Sequence, residues 1–243
     1  MSKKSHRKQV ARARAKRQQD RFQRRSARNR MIIIVMAVLM GLSLIAVPLT
    51  QLLASRGDAA VPEAPPTAPL TYDAPFEMTI DPDATYTATL ATDAGDITVR
   101  LHAADAPETT NNLVNLARDG FYDGVIFHRV IEGFMIQGGD PTGTGGGDPG
   151  YRFADELELA EQVVEAEGGY PRGTLAMANA GPDTQGSQFF IMHQDYPLPA
   201  AYTVFGEVID GLDVVDAIAT APTDEHDRPL EPVVIRTITI DEG

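Results

Sequence analysis

Two stretches of this 243-residue chain hold the side chains best suited to chemistry. The first, Phe127 to Asp140 (FHRVIEGFMIQGGD), sets Arg129 near Phe134 and Met135, with Gln137 two residues further on. The second, Leu175 to Ile191 (LAMANAGPDTQGSQFFI), adds Asn179, Gln188 and Phe190. A permanent cation, neutral amides and aromatic rings suit a substrate that is gripped and polarised, not one that is cleaved. Taken alone, the first stretch reads equally well as a core strand with a surface arginine, and the residue types leave both readings open.

Other chemistries lack their residues. The chain has no cysteine, which excludes a disulfide framework, a thiol nucleophile and a thiolate-bound metal. Gly143–Gly147 (GTGGG) resembles a phosphate loop, but no Lys-Ser/Thr follows and no lysine lies beyond Lys16. Ser187 lacks the second glycine of a nucleophile elbow. His102, His128, His193 and His226 show no metal-ligand spacing, so no metal is expected.

The elements around these stretches are short. Tyr86–Thr92 and Asp96–His102 read as a hairpin about Asp93-Ala94-Gly95. Ala106–Arg118 begins with a proline, gathers Leu113, Val114 and Leu116 on one side, and is followed by Gly120, which reads as a helix. Strands are expected at Val125–Val130, Met135–Gly138, Leu175–Ala178, Gln188–His193, Thr203–Val208 and Val233–Ile240, with a second helix at Leu212–Ala219. Many short strands with two helices point to an antiparallel barrel or sandwich over residues 79–243.

The N-terminal quarter differs in kind. Residues 1–30 carry a net charge of +12 and the rest of the chain −25. No charge falls between Met31 and Ser55, and Met31–Val47 is almost wholly apolar. A helix of this length spans a bilayer core of about 30 Å. The basic flank then predicts a single-pass anchor over residues 31–54, with a cytoplasmic N-terminus and an extracytoplasmic C-terminal domain at the cell membrane. The long basic region and long apolar core favour an anchor over a cleaved signal. The tail would attract anionic lipid head groups; nucleic acid is not expected, because Phe22 is its one base-stacking aromatic. The Pro/Ala-rich stretch 55–78 reads as a linker.

The runs FHRVIEGFMIQGGDPTGTGGG, FADE, LAMANAGPDTQGSQFFI and YTVFGEV resemble the cyclophilin family, in order and at compatible separations, from about Tyr86 to Ile240. The resemblance implies a mainly β fold: an eight-stranded antiparallel β-barrel capped by two α-helices, here preceded by one transmembrane helix. It also implies proline isomerase activity without a cofactor, on proline-containing polypeptide clients; a monomer is expected. Carried over by position, the catalytic set is Arg129, Phe134 and Gln137, with Gln137 keeping the guanidinium in place. The substrate-binding set is Met135, Gly143, Thr144, Ala178, Asn179, Ala180, Gln188, Phe190, Leu198 and Tyr202. Tyr202 stands where many members have histidine. Pro197 stands where many have tryptophan, so the loop Gln194–Ala201 departs from the family's pattern and weak binding of cyclosporin-like inhibitors is expected.

Overall fold

The structure, a computed structural model, describes residues 70–243. The basic tail, the expected span 31–54 and residues 55–69 of the expected linker lie outside the described residues. Among those described, no helix is long and apolar enough to cross a membrane.

Strands β1 (Tyr86–Thr92) and β2 (Gly95–Leu101) form the expected hairpin, paired Thr92↔Gly95 across Asp93 and Ala94. The Thr92 hydroxyl holds the turn, donating to Gly95 O at 2.6 Å and accepting from Ala94 N at 3.1 Å. Period-2 alternation turns Tyr86, Ala88 and Leu90 of β1 and Ile97, Val99 and Leu101 of β2 into the core. Helix α1 (Pro107–Arg118) follows, with proline in its first turn, where a missing N–H costs nothing. Then come β3 (Arg129–Ile131), β4 (Met135–Gly138), α2 (Glu158–Glu167), β5 (Thr174–Met177), β6 (Phe189–Met192), β7 (Val204–Asp210), α3 (Leu212–Ala219) and β8 (Ile235–Glu242).

All eight strands lie in one antiparallel sheet, a half-barrel of order β3-β4-β6-β5-β7-β2-β1-β8. The expected closed barrel is not completed by a ladder between its end strands. An isolated bridge, Ile126–Val234, joins the segments leading into β3 and β8, supported by Phe127 N to Val233 O at 3.1 Å and Ile235 N to Val125 O at 2.7 Å. The strand expected over Val125–Val130 breaks at His128 for the same reason: its first half pairs with the chain before β8, its second with β4.

Three helices are present among the described residues, not the two expected. The additional one, α2, fully buries only Ala160, and its apolar stripe (Leu159, Ala160, Val163 and Val164) is short and half-buried, a weaker signal than those of the other two helices. The folded unit also takes in residues assigned above to the linker. Tyr72 and Phe76 pack against the core, and Tyr72 N donates to Pro149 O at 2.8 Å.

Candidate active site

The short strands β3, β4 and β6 are paired so that Arg129 faces Gln137 and Gln137 faces Phe190; Phe190 in turn faces Ala176 on β5. Cross-strand partners share a face, with Cβ atoms about 4.5–5.5 Å apart. Their neighbours Val130, Ile136 and Ile191 belong to the main core, which puts Arg129, Met135, Gln137 and Phe190 on the opposite face. One row across the sheet thus sets the arginine, an amide and an aromatic ring side by side.

Arg129 is mostly buried, its side chain 16% exposed, and its Nε lies 3.5 Å from Asp227 Oδ2. Its Nη1 is buried without a hydrogen-bond partner, and so is Gln137 Oε1. Gln137 therefore does not hold the guanidinium, contrary to expectation. Its amide is spent the other way: Nε2 donates to Gln188 Oε1 at 3.0 Å, while Gln188 Nε2 donates to Gly145 O (3.1 Å) and Gly147 O (2.8 Å). The two glutamines form a strut from β4 to the glycine-rich loop.

Asp140 organises that loop. Its Oδ1 accepts Thr142 N (2.7 Å) and the Thr142 hydroxyl (2.8 Å); its Oδ2 accepts Thr144 N (3.1 Å), Gly145 N (2.5 Å) and Gly147 N (3.1 Å). A Cβ on Gly147 would lie 2.0 Å from Asp140 Oδ1, so only glycine lets the chain wrap so closely. Burial pushes the Asp140 carboxyl up, but these bonds outweigh it and the net shift is down. Gly143 and Thr144 sit in this loop, and the Thr144 and Thr142 hydroxyls are 2.8 Å apart. His128, beside Arg129 in sequence, is held down to about 4 by burial, assisted by the charges of Arg228 and Arg129 and opposed by Asp140.

The apolar part of the site comes from a turn, two strands and a loop. Phe134 lies in the β3–β4 turn, fixed by Phe134 N to Ile131 O at 3.0 Å and by His193 N to Phe134 O at 2.9 Å. Met135 and Phe190 are buried on β4 and β6, and Leu198 is buried in the loop after β6. The Phe190 ring lies 5.5 Å edge-on from Tyr202 and 6.5 Å from Tyr170, which it stacks nearly parallel. The Tyr170 hydroxyl donates to Tyr202 O at 2.6 Å, anchoring Tyr202 in place. Burial pushes the Tyr202 hydroxyl up while the Arg129 charge pulls it down, which brings these two residues into electrostatic reach.

The remaining expected residues serve the loops. Ala178 N donates to Gln188 O at 2.9 Å. Asn179 spends its amide on Ala201 O at 2.9 Å, tying its loop to the one that carries Tyr202. Ala180 is exposed, and its N–H goes to the Thr184 hydroxyl at 2.8 Å. Two residues escaped the sequence reading, Asp227 and Asp140; Tyr196, adjacent to Pro197 in the departing loop, sets its ring 4.4 Å from that of Phe134. Pro197 itself is exposed, so an aromatic partner for Phe134 comes from the residue before it. Asp140 left a readable trace, an Asp-x-Thr turn ahead of a glycine run; Asp227 left none.

Residues 87–240 match the family model described as cyclophilin type peptidyl-prolyl cis-trans isomerase/CLD. This chain belongs to the cyclophilin family of peptidyl-prolyl cis-trans isomerases. It is 51% identical over 181 residues to the peptidyl-prolyl cis-trans isomerase A of Mycobacterium tuberculosis, covering 67% of this chain and 96% of that one. It is 48% identical over 173 residues to the peptidyl-prolyl cis-trans isomerase B of Streptomyces anulatus, covering 63% and 95%. A crystal structure of a Cryptosporidium parvum cyclophilin superposes with a TM-score of 0.59 at 36% identity, over 65% of this chain and 98% of that one. A second crystal structure of that Cryptosporidium cyclophilin was obtained in the presence of the dipeptide Ala-Pro. The cyclophilin motifs and the row across β3, β4 and β6 are the same residues.

Proposed function

We propose that this cyclophilin isomerises X-Pro bonds in polypeptides on the extracytoplasmic side of a membrane, with Arg129 stabilising the twisted amide. Amide resonance sets a barrier of about 18–20 kcal/mol to rotation. The uncatalysed reaction takes tens of seconds or longer, slow enough to limit folding. No bond breaks, so the catalyst needs no nucleophile and forms no covalent intermediate. It must bind the twisted amide more tightly than either planar form.

The observation that carries this reading is the buried, unpartnered Nη1 of Arg129 in one row with Gln137 and Phe190. As the amide twists, the lone pair of the prolyl nitrogen localises and can accept a hydrogen bond from a guanidinium that is always cationic. The prolyl ring packs against Phe134, Met135, Phe190 and Leu198, while Tyr202 and the backbone near Ala178 and Asn179 hold the flanking peptide. Gly143 and Thr144 line the neighbouring position. Gln137 acts through Gln188, keeping the glycine-rich loop against the site. A fixed donor of this kind is worth about 3–4 kcal/mol of barrier. An Ala-Pro dipeptide accompanying a related cyclophilin supports the choice of proline-containing peptides as ligands.

The test is an isomerisation assay on X-Pro peptides with wild type and Arg129→Ala. A fall in kcat/KM of about a hundredfold or more supports the reading, since about 3 kcal/mol corresponds to that factor. Near-normal turnover would sink it. Anchoring through residues 31–54 rests on the charge asymmetry of the sequence; protease protection of the domain in right-side-out vesicles from the expressing cell would overturn the topology.

A further inference from the structure

The chain between α3 and β8 carries a small device that reaches the arginine. Residues 222–230 fold back on themselves through Leu230 N to Pro222 O (2.9 Å), Asp224 N to Arg228 O (2.9 Å) and a bridge between Thr223 and Pro229. The Asp224 carboxylate closes the tip, its Oδ1 accepting His226 N at 2.8 Å and Arg228 N at 3.0 Å. These bonds force Asp227 into the left-handed region, φ 63°. Aspartate tolerates that conformation better than most residues.

From this tip Asp227 grips β3 at two points. Its carbonyl accepts Val130 N at 2.8 Å, and its carboxylate stands 3.5 Å from Arg129 Nε. β3 is a terminal strand of the sheet and only three residues long, so the tip covers its outward backbone edge. The two contacts fall on consecutive residues. The carboxylate is therefore fixed relative to the backbone that carries the guanidinium.

We propose that Asp227 is the positioning residue of Arg129: by pairing with Nε it sets the plane of the guanidinium and leaves Nη1 for the substrate. This rests on the role given to Arg129 above. An arginine side chain has several rotatable bonds and large rotamer entropy, so a donor needed at one point in space gains from a fixed anion on its far edge. Gln137, the residue expected from the sequence to do this, is committed to Gln188. The pair is open to water on the carboxylate side, where Asp227 is 44% exposed, so solvent moderates its strength.

The experiment compares the full-length wild type with Asp227→Asn, Asp227→Gly and Arg129→Ala on an uncharged X-Pro peptide. Asparagine and glycine both accept a positive φ, and the main-chain bond from Val130 survives either change. Both variants are expected to lose about three- to fivefold in kcat, with KM and melting temperature unchanged, as for a half-exposed pair. Raising ionic strength from about 0.05 M to about 1 M should lower the kcat of the wild type toward that of Asp227→Asn and leave the variant flat. The Arg129 Nε–H resonance, distinct in the wild type, should broaden in both variants. Wild-type kcat in both variants, with Arg129→Ala still inactive, overturns the proposal and leaves the reading of Arg129 standing. So does a loss confined to Asp227→Asn and accompanied by a lower melting temperature, which would make the residue structural. An active Arg129→Ala would remove the reading on which the proposal rests.

Discussion

The two ends of the sheet are built on different plans. β1, β2 and β8 run seven or eight residues each, with buried and more exposed positions interleaved and long ladders, that of β1 and β8 shifting register once between Ala91 and Thr92. β3, β4, β5 and β6 run three or four residues, and the last three are buried at every position. The first end holds itself together by backbone pairing and one apolar face. The second has shorter ladders, although Val130, Ile136, Leu175, Met177, Phe189 and Ile191 join the same core. It is held in addition by side chains that reach into loops: Asp140, Gln188, Asn179, His193 and Asp227. The site sits on the end that depends on side chains. Its precision therefore rests on a few polar residues that contribute to geometry and to stability at once, whereas the long-stranded end contributes to stability alone.

The sharpest division is expected at Arg129. Changing it to alanine should cost about 3–4 kcal/mol of transition-state stabilisation while moving the melting temperature little, because its ion partner is exposed enough to be solvated alone. Asp140→Ala should show both effects together. Stranding the loop N–H groups costs about 3 kcal/mol of folding free energy, and kcat/KM should drop with it, since Gln188 loses the carbonyls it holds. Loss of stability without loss of activity, read from denaturant titration and assay of one preparation, would break the comparison.

Acid should act on the short-stranded end before the other. His128 is neutral in the folded protein, with its pKa held down to about 4. The unfolded chain takes up that proton at about pH 6.5. Stability is therefore fully present above that pH and is lost as pH falls toward 4, by about 2–3 kcal/mol. Asp140, shifted down, adds a further loss once pH falls below the ordinary carboxylate range. Melts between pH 7.5 and 4.5 should show the decline, and His128→Asn should flatten it. The smallest effect is expected at the long-stranded end. The Tyr86 hydroxyl accepts Asp81 N and donates to Glu242, both at 3.0 Å. Tyr86→Phe should cost about 1 kcal/mol of stability and leave kcat/KM untouched.

The same contrast governs what the sequence made legible. β1, α1 and α3 were readable almost to the residue, because amphipathic periods and turn residues act locally. β3 was not, because residues 125–131 change partners at His128, and pairing across the chain leaves no local pattern. Helix α2 was missed although Leu159, Ala160, Val163 and Val164 fall on one side of it, because that stripe spans fewer than two turns among acidic residues and buries only one alanine fully. In the candidate site, Arg129, Gln137 and Phe190 were named through long motifs, and the sheet register that puts them in one row explains their spacing. Asp227 was not, since an ion pair across 98 positions is fixed by the folded hairpin alone. Gln137 was assigned the wrong neighbour because its real one, Gln188, is joined to it only by tertiary structure.

The attachment of Tyr72 to Pro149 has a mechanical consequence. Tension along the N-terminal segment would not be borne by the sheet first. It would reach Tyr72, cross its N–H to Pro149 and load the chain two residues from Gly147, whose carbonyl takes Gln188. Gly150, at φ +99°, lies so close to Tyr72 O that a Cβ there would approach to 2.4 Å, leaving little slack in the joint. Load arriving at Tyr72 would thus be shared between the glycine-rich loop, through Pro149, and helix α1, through the Tyr72 hydroxyl on Asp119 at 3.1 Å.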